Sequence, residues 1–481
     1  MKRLCMLGIF LLSLSPVEAV GWQRHSIGDI VYPVYLIVDD LDGDTDLDVA
    51  AGSEGGPNPV DSEVAWFEND LDKSGAFTKR IISPATPTSE AIQNAEGLAS
   101  VDVDKDGQKD IAVATGTMSN QYGGLYWFKS PKNFQGDWIR YPIYEPASGN
   151  SFFKLYPIDT NNDGWSDFVI GGDAGAYLFI NPTNPSNPTT TWDQLFLHEY
   201  SGPSVNLADV DKDGVMDILN TNTGVVPPED FGNVSWFKIN NVGGEVSVER
   251  TVIDAALEKA FDINAMDING DGYPEIFVSI FNVLARNPDL NGIYWYKNPG
   301  SEGGGWTKHV VNPDFSASDM YIGDINGDGQ DDLVASGLFI GKISWFEYKW
   351  EGGTVEWTEH VVDPDVALPG DISLNDIDVD EDLDIVVTVL EDDELVWYEN
   401  EIPRPSVCPI EFLLGEDSEK TQLLRYIRDE VLSKTKSGRE LIRLYYQWSP
   451  VIVEAVEEDE EFKEAVKALI DGVFGLVEEA E

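Results

Sequence analysis

Cysteine is nearly absent from this chain, with Cys5 and Cys408 the only two among 481 residues. Histidine is almost as scarce, at His25, His198, His309 and His360, and basic residues number 31 against 87 acidic ones. Cys5 lies in an N-terminal apolar run that reads as a removable leader, too near the start for a lipid-attachment box. Cys408 is then the lone thiol of the mature chain, so no internal disulfide can form; a surface thiol, a buried small hydrophobe and a modified residue all stay open. No zinc spacing, Ser-His-Asp set or phosphate-cradling Gly loop is present. A formal charge of −56 makes nucleic acid a poor partner, because its phosphates would be repelled and no basic stripe exists to release counterions. Anionic lipid surfaces are disfavoured on the same ground. The leader run, Leu4 to Leu14, follows Lys2 and Arg3 and precedes Val17-Glu18-Ala19. This pattern predicts a secretory signal over residues 1–19, cut after Ala19, with no transmembrane anchor remaining.

What the chain has in abundance is one acidic phrase, repeated seven times: Asp, any residue, Asp or Asn, any residue, Asp, usually Gly, two residues, then Asp or Glu. The phrases start at Asp40, Asp102, Asp159, Asp209, Asp267, Asp324 and Asp376, a period that means stacked or radial units. Positions 1, 3, 5 and 9 supply hard oxygen donors. They are Asp40, Asp42, Asp44 and Asp48; Asp102, Asp104, Asp106 and Asp110; Asp159, Asn161, Asp163 and Asp167; Asp209, Asp211, Asp213 and Asp217. The last three sets are Asp267, Asn269, Asp271 and Glu275; Asp324, Asn326, Asp328 and Asp332; Asp376, Asp378, Asp380 and Asp384. Gly107, Gly164, Gly214, Gly272 and Gly329 occupy position 6, where the chain must turn sharply, as in an EF-hand-like calcium loop. So many carboxylates held together need a cation, and calcium suits the set better than magnesium, which prefers a tight octahedron and keeps its waters. The expectation is about seven Ca²⁺, one per unit. Thr45 and Glu381 replace the glycine in loops one and seven.

On these residues the chain resembles the FG-GAP or VCBS repeats, whose calcium-loop blades build the propeller of integrin α-subunits and of many bacterial secreted proteins. The resemblance spans roughly residues 22 to 400. It implies a seven-bladed β-propeller in which positions 1, 3, 5 and 9 and the backbone carbonyl of position 7 hold one calcium per blade. Position 7 is Asp46, Gln108, Trp165, Val215, Tyr273, Gln330 or Asp382, a variety that fits a main-chain role.

The stretches around the loops read as strands in their own right. Short apolar runs flank each loop, such as Leu98 to Val103 and Ile385 to Val389. A third strand carries an aromatic pair: Trp66-Phe67, Trp127-Phe128, Trp236-Phe237, Trp295-Tyr296, Trp345-Phe346 and Trp397-Tyr398, with Leu178-Phe179 as the weaker version. A fourth begins with Trp, as at Trp22 to His25, Trp138 to Tyr141, Trp306 to His309 and Trp357 to His360. Four strands per unit make a propeller blade. Trp22 to Ile27 has no blade before it and Trp397-Tyr398 has no fourth strand after it, so the N-terminal strand is expected to complete blade seven.

The fold class expected is thus all-β, a seven-bladed β-propeller over residues 20–401, plus a linker and small α-helical C-terminal domain over 402–481. The helical spacing lies at Leu423, Leu424, Ile427 and Val431, then Leu441, Leu444, Tyr445 and Trp448, and finally Phe462, Val466, Leu469, Val473 and Leu476. This segment resembles a bacterial C-terminal domain named for a Cys-Phe-Ile box, through Arg425, Arg428-Asp429, Gly438-Arg439, Tyr445-Tyr446 and Ser449-Pro450. The box itself departs, reading Cys408-Pro409-Ile410.

Three histidines share one repeated register with Arg80 and Tyr141, which points to packing rather than chemistry. A less symmetric register lies five residues before each loop: Tyr35, Gly97, Lys154, Ser204, Asp262, Asp319 and Asp371. In a propeller these ring the channel mouth opposite the calcium loops. Glu96, Lys154, Asp262, Asp319 and Asp371 could hold a sugar or cation there, or could simply bond to neighbouring strands. The expected task is that of a secreted or cell-surface adhesion or ligand-binding module with a protein or carbohydrate partner. The alternatives are a carbohydrate-active enzyme such as a polysaccharide lyase, and a structural surface protein. A lyase needs a base, and Lys154 is the only basic residue in the register.

Overall fold

The computed structural model describes residues 21–402 apart from segments 55–61, 85–91, 117–122, 146–150, 173–174, 187–190, 199–203, 223–231 and 282–290 and positions 72, 93, 135, 184, 303, 352 and 381. Ser418, Thr421, Lys463 and Lys467 are also described. The signal segment, Cys408 and nearly all of the expected helical domain therefore lie outside the described residues. The chain divides into two compact units, residues 1–325 with 331–401, and residues 326–330 with 402–481. In the second unit Ser418 Oγ accepts the Thr421 N–H at 3.0 Å, a helix N-cap pattern.

In the first unit, 28 described strands, numbered β1 to β28 along the chain, form seven four-stranded antiparallel sheets. Blades one to six each use four consecutive strands. Their innermost members are β2 (Pro33–Asp39), β6 (Ala95–Val101), β10 (Phe152–Ile158), β14 (Val205–Ala208), β18 (Ala260–Met266) and β22 (Asp319–Gly323). Blade seven joins the two ends of the ring: β26 (Pro369–Asn375), β27 (Asp384–Val389) and β28 (Glu394–Asn400) are completed by β1 (Trp22–Asp29). Trp22 pairs with Asn400 and His25 with Trp397, and a bulge lies between Ser26 and Gly28. The expected closure is present and leaves no free edge on β28.

Each blade's second strand opens with the loop's last acid and is buried along all six residues, as in β27, Asp384 to Val389. The adjacent rings of each aromatic pair point into opposite seams, because successive strand residues face opposite sides of a sheet. Trp66 packs with blade two while Phe67 packs with blade seven, and Trp127 and Phe128 do the same for blades three and one. Fully burying rings such as Trp66 and Trp127 stabilises each seam by about 1.5–3 kcal/mol per side chain. The fourth strand adds a stacked layer. His25, His309 and His360 lie on Trp397, Trp295 and Trp345 at 4.6, 4.2 and 4.1 Å, and Tyr141 lies on Trp127 at 4.7 Å. The repeated histidine register is packing.

Candidate metal loops and the central channel

Every acidic loop connects an innermost strand to the second strand of its blade, so the loops of blades one to five and seven lie on one face of the ring. Side-chain oxygens shape each loop internally. In loop two, Asp102 accepts the Asp106 and Gly107 amides at 3.0 and 2.9 Å, and Asp106 accepts the Gln108 amide at 3.0 Å. Loops three and four repeat this pattern through Asp159 and Asp163 and through Asp209 and Asp213. Asp267 and Asp271 serve loop five, Asp376 and Asp380 loop seven. In loop one Asp40 takes the Gly43 amide and Asp44 that of Asp46. Loop six is divided between the units, with Asp324 and Asp332 in the first and Asn326 and Asp328 in the second. Position 6 has positive φ wherever it is described, between 80° and 91° at Gly107, Gly164, Gly214, Gly272 and Gly329. Thr45 is forced to the same φ of 87°, in a region that a β-branched residue adopts only under strain.

Position 9 plays a part that spacing alone does not disclose. One oxygen accepts the position 2 amide of its own loop, as Leu41 N–H to Asp48 at 3.1 Å, Val103 to Asp110 at 3.0 Å and Ile377 to Asp384 at 2.9 Å. The other accepts an amide past the third-strand aromatic pair: Asn69 to Asp48, Ser130 to Asp110, Asn181 to Asp167 and Asn400 to Asp384, all at 2.8–2.9 Å. These acids are clamps within the blade as well as candidate ligands. Burial pushes Asp48 and Asp384 up to about 8 and Asp110, Asp217 and Glu275 up to about 7, with neighbouring loop carboxylates adding to the rise.

The donor set fits a hard divalent cation. Carboxylate oxygens of Asp40, Asp42 and Asp44, of Asp102, Asp104 and Asp110, of Asp209, Asp211 and Asp217, and of Asp376, Asp378 and Asp384 all lie within 4.8 Å of one another in their group. Buried oxygens of Asp104, Asp211 and Asp378 have no hydrogen-bond partner. Ammonium groups stand in for a cation in three loops: Lys73 beside Asp44 at 2.9 Å, Lys129 on Asp104 and Asp106, and Lys238 on Asp211 and Asp213. A bound calcium would supply positive charge to these oxygens; the chain's own part is to hold them together and keep them aimed.

Between them the inner strands enclose a channel cavity of about 350 Å³ lined by Tyr35, Lys154, Tyr156, Asn264, Asp319 and Asp371 among others. Lys154 Nζ lies 2.8 Å from Asp262 Oδ1 and also pairs with Asp319. Each aspartate reaches sideways to the backbone of the next blade. Asp262 accepts the Met320 amide at 2.9 Å, Asp319 that of Ile372 at 3.0 Å and Asp371 that of Leu36 at 2.9 Å. Blades five, six, seven and one are thus stapled in sequence around the channel. Burial raises Asp319 to about 6 against the pull of Lys154, and raises Asp371 further, where Asp319 shares a hydrogen bond with it. Burial works against the Lys154 charge, but Asp262 and Asp319 more than offset it and hold the ammonium protonated. Lys154, Asp262, Asp319 and Asp371 form one cluster; Glu96 does not join it and instead accepts a hydrogen bond from Asn94 Nδ2. Gly97 stands in the register because a Cβ there would lie 2.0 Å from the Phe153 carbonyl oxygen on the next blade.

Spacing also missed the asparagine two residues after the second member of the third-strand pair, at Asn69, Asn181, Asn298 and Asn400. Each donates to the position 8 carbonyl of its own loop, at 3.0–3.2 Å, and its recurrence in four units was the available signal.

Fold and loops together define a seven-bladed β-propeller with an acidic loop on every blade. An FG-GAP-like repeat family model matches residues 40–113, 102–170 and 159–219, each match starting on position 1 of a loop. Residues 40–219 thus carry FG-GAP-like repeats, within a ring of seven four-stranded blades. A comparison with curated proteins gives no match. Among solved structures, an Agrocybe aegerita lectin that recognises non-reducing terminal N-acetylglucosamine has 15% identity and a TM-score of 0.44, over 70% of this chain and 82% of its own.

Proposed function

We propose that this chain is a calcium-loaded propeller that works as a secreted or cell-surface adhesion or ligand-binding module, with a protein or carbohydrate partner. The observation that carries the reading is the convergence of loop carboxylates in four blades on one face of a rigid ring. The FG-GAP-like repeats, the N-terminal leader pattern and the large negative charge support an extracellular setting in which calcium is plentiful. Among the described residues no helix is long and apolar enough to cross a membrane. The lyase alternative is weakened because Lys154 is held charged by two buried aspartates and is a poor base. Those aspartates are also engaged with neighbouring strands, which favours a structural role for the channel cluster over ligand capture.

The test is calcium titration of the chelated protein by calorimetry with thermal unfolding in parallel, followed by glycan and protein screens in calcium. Uptake of about seven ions with a rise in melting temperature supports the reading. Little uptake removes the calcium assignment, and unsaturated sugar products would favour the lyase.

A further inference from the structure

The third-strand asparagines make a second bond, always to the loop of the preceding blade, as from Asn400 in blade seven to the Ile325 carbonyl at 2.8 Å, and the seams that lack it divide the ring. Asn181 Nδ2 in blade three donates to the Val103 carbonyl at position 2 of loop two, at 3.2 Å. Asn298 in blade five reaches Val210 in loop four at 3.0 Å, and Asn69 in blade one reaches Ile377 in loop seven at 3.1 Å. Blade four has Ile239 at the matching place, but Asn241, two residues on, reaches Thr160 in loop three at 3.3 Å. In each case the carbonyl belongs to the residue whose amide is held by the position 9 acid of that loop. One loop's acid clamp is therefore tied through a single residue, by its amide on one side and its carbonyl on the other, to the next blade.

The seams at either end of this arc are built differently. Between blades one and two the matching residue is Ser130, whose hydroxyl stays in its own blade, 3.2 Å from Gln108 Nε2 and 3.4 Å from Asp110. At the loop end that seam carries instead the Lys109–Asp39 ion pair, whose side chains are 41% and 29% exposed, and a pair this open to solvent couples weakly. Between blades five and six it is Tyr348, which has no carboxamide and packs its ring on Trp357.

A second layer of contacts follows the same division. Lys105 at position 4 of loop two lies 4.6 Å over the Trp165 ring at position 7 of loop three. Lys212 at position 4 of loop four lies 5.4 Å over Tyr273 at position 7 of loop five and donates to the Asp271 carbonyl at 3.2 Å. Position 7 is a loop's main-chain position, so a loop that reshapes on binding an ion moves the platform that its neighbour's lysine rests on.

We propose that loops two to five load calcium as one coupled arc, through Asn181, Asn241 and Asn298, while loops seven and one load independently of it. This rests on the calcium reading above. The asparagines are positioning residues: they stand outside the loops' donor positions and act through the carbonyl of the adjoining loop. The test is site-resolved hydrogen exchange of the loop peptides across a calcium titration of the full chain. Asp163→Asn weakens loop three while retaining an acceptor for the Trp165 amide. It is expected to raise the calcium needed for protection of loops two and four by about fivefold or more, with loops one and seven unchanged. Adding Asn181→Ala and Asn241→Ala should confine the shift to loop three. The proposal is overturned if Asp163→Asn alone affects only loop three, or affects all loops equally. If the unmutated chain gains no protection with calcium, the calcium reading itself falls and the proposal with it.

Discussion

Replacing Lys154 by Met removes the only cation among the residues lining the channel and leaves its carboxylates buried. The Asp262 and Asp319 side chains are 1% and 5% exposed, so water cannot take over the ammonium's role. Breaking a buried ion pair from one side costs about 3–5 kcal/mol, and two aspartates share this lysine, which places the expected loss toward the upper end near neutral pH. The loss should depend on pH in a definite direction. Asp319 sits at about 6 with Lys154 present, above its unfolded value, and losing the lysine drives it higher. A carboxyl whose folded pKa is raised gives the folded state an extra proton; the stability it contributes is complete below the unfolded pKa and fades as pH rises through the folded one. The gap between wild type and Lys154→Met should therefore narrow on acidification, to about half at pH 5 as one carboxylate is neutralised. Urea unfolding followed by tryptophan fluorescence, in saturating calcium at about pH 7.5 and pH 5, reads both values. A neutral-pH loss under about 1 kcal/mol, or an equal loss at both pH values, would refute the staple described for this cluster.

Asp371, already raised well above the ordinary carboxylate range, should accept Asp371→Asn within about 1 kcal/mol, since an amide can keep the Leu36 bond and donate to Asp319; a larger loss in the same assay would mean that it is charged. Thr45→Gly relieves a β-branched residue at φ 87° and should stabilise the protein by about 1 kcal/mol after the glycine's entropy cost, and a lowered unfolding midpoint would count against the strain. Deleting residues 22–27 exposes the β28 edge and removes buried Ile27, so the melting temperature should drop by several degrees; no change would contradict the closure. Chelating calcium should lower the melting temperature, and magnesium should restore it poorly because it keeps its waters; full rescue by magnesium would exclude the calcium preference.

Features that repeat locally could be read along the chain, and features created by the ring could not. The phase of Trp22 to His25 against Trp357 to His360 is enough to place β1 in blade seven, because a fourth-strand signature without a blade has one place to go. The histidine register was readable as packing for the same reason. The position 9 acids were visible as acids, but their clamp depends on third-strand amides many residues away, such as Asn69 for Asp48. The channel aspartates shared a visible register, yet their partners lie on the next blade, as with Asp371 and Leu36, which stand at opposite ends of the propeller sequence. Sequence distance carries no information about that contact; only closure of the ring creates it.

The same distinction separates two populations within a charge of −56. Asp48, Asp110, Asp167, Glu275 and Asp384 are essentially buried and committed to backbone amides, as are Asp262, Asp319 and Asp371 in the channel, while Asp217 holds the Val210 amide and keeps its other buried oxygen unbonded. Asp42, Asp104, Asp211 and Asp378 retain oxygens aimed into their loops, three of them with a buried oxygen that no hydrogen bond reaches. Neutralising one of the position 9 acids should cost stability whether or not calcium is present, because the clamp is weakened. Neutralising one of the second population should cost little in chelator and more in calcium, because only the ion's hold is weakened. The difference between those two conditions, measured as unfolding midpoints for Asp110→Asn and Asp104→Asn, therefore separates the acids that build the propeller from those that load it. Equal calcium dependence for both substitutions would mean that position 9 is as much a ligand as a clamp.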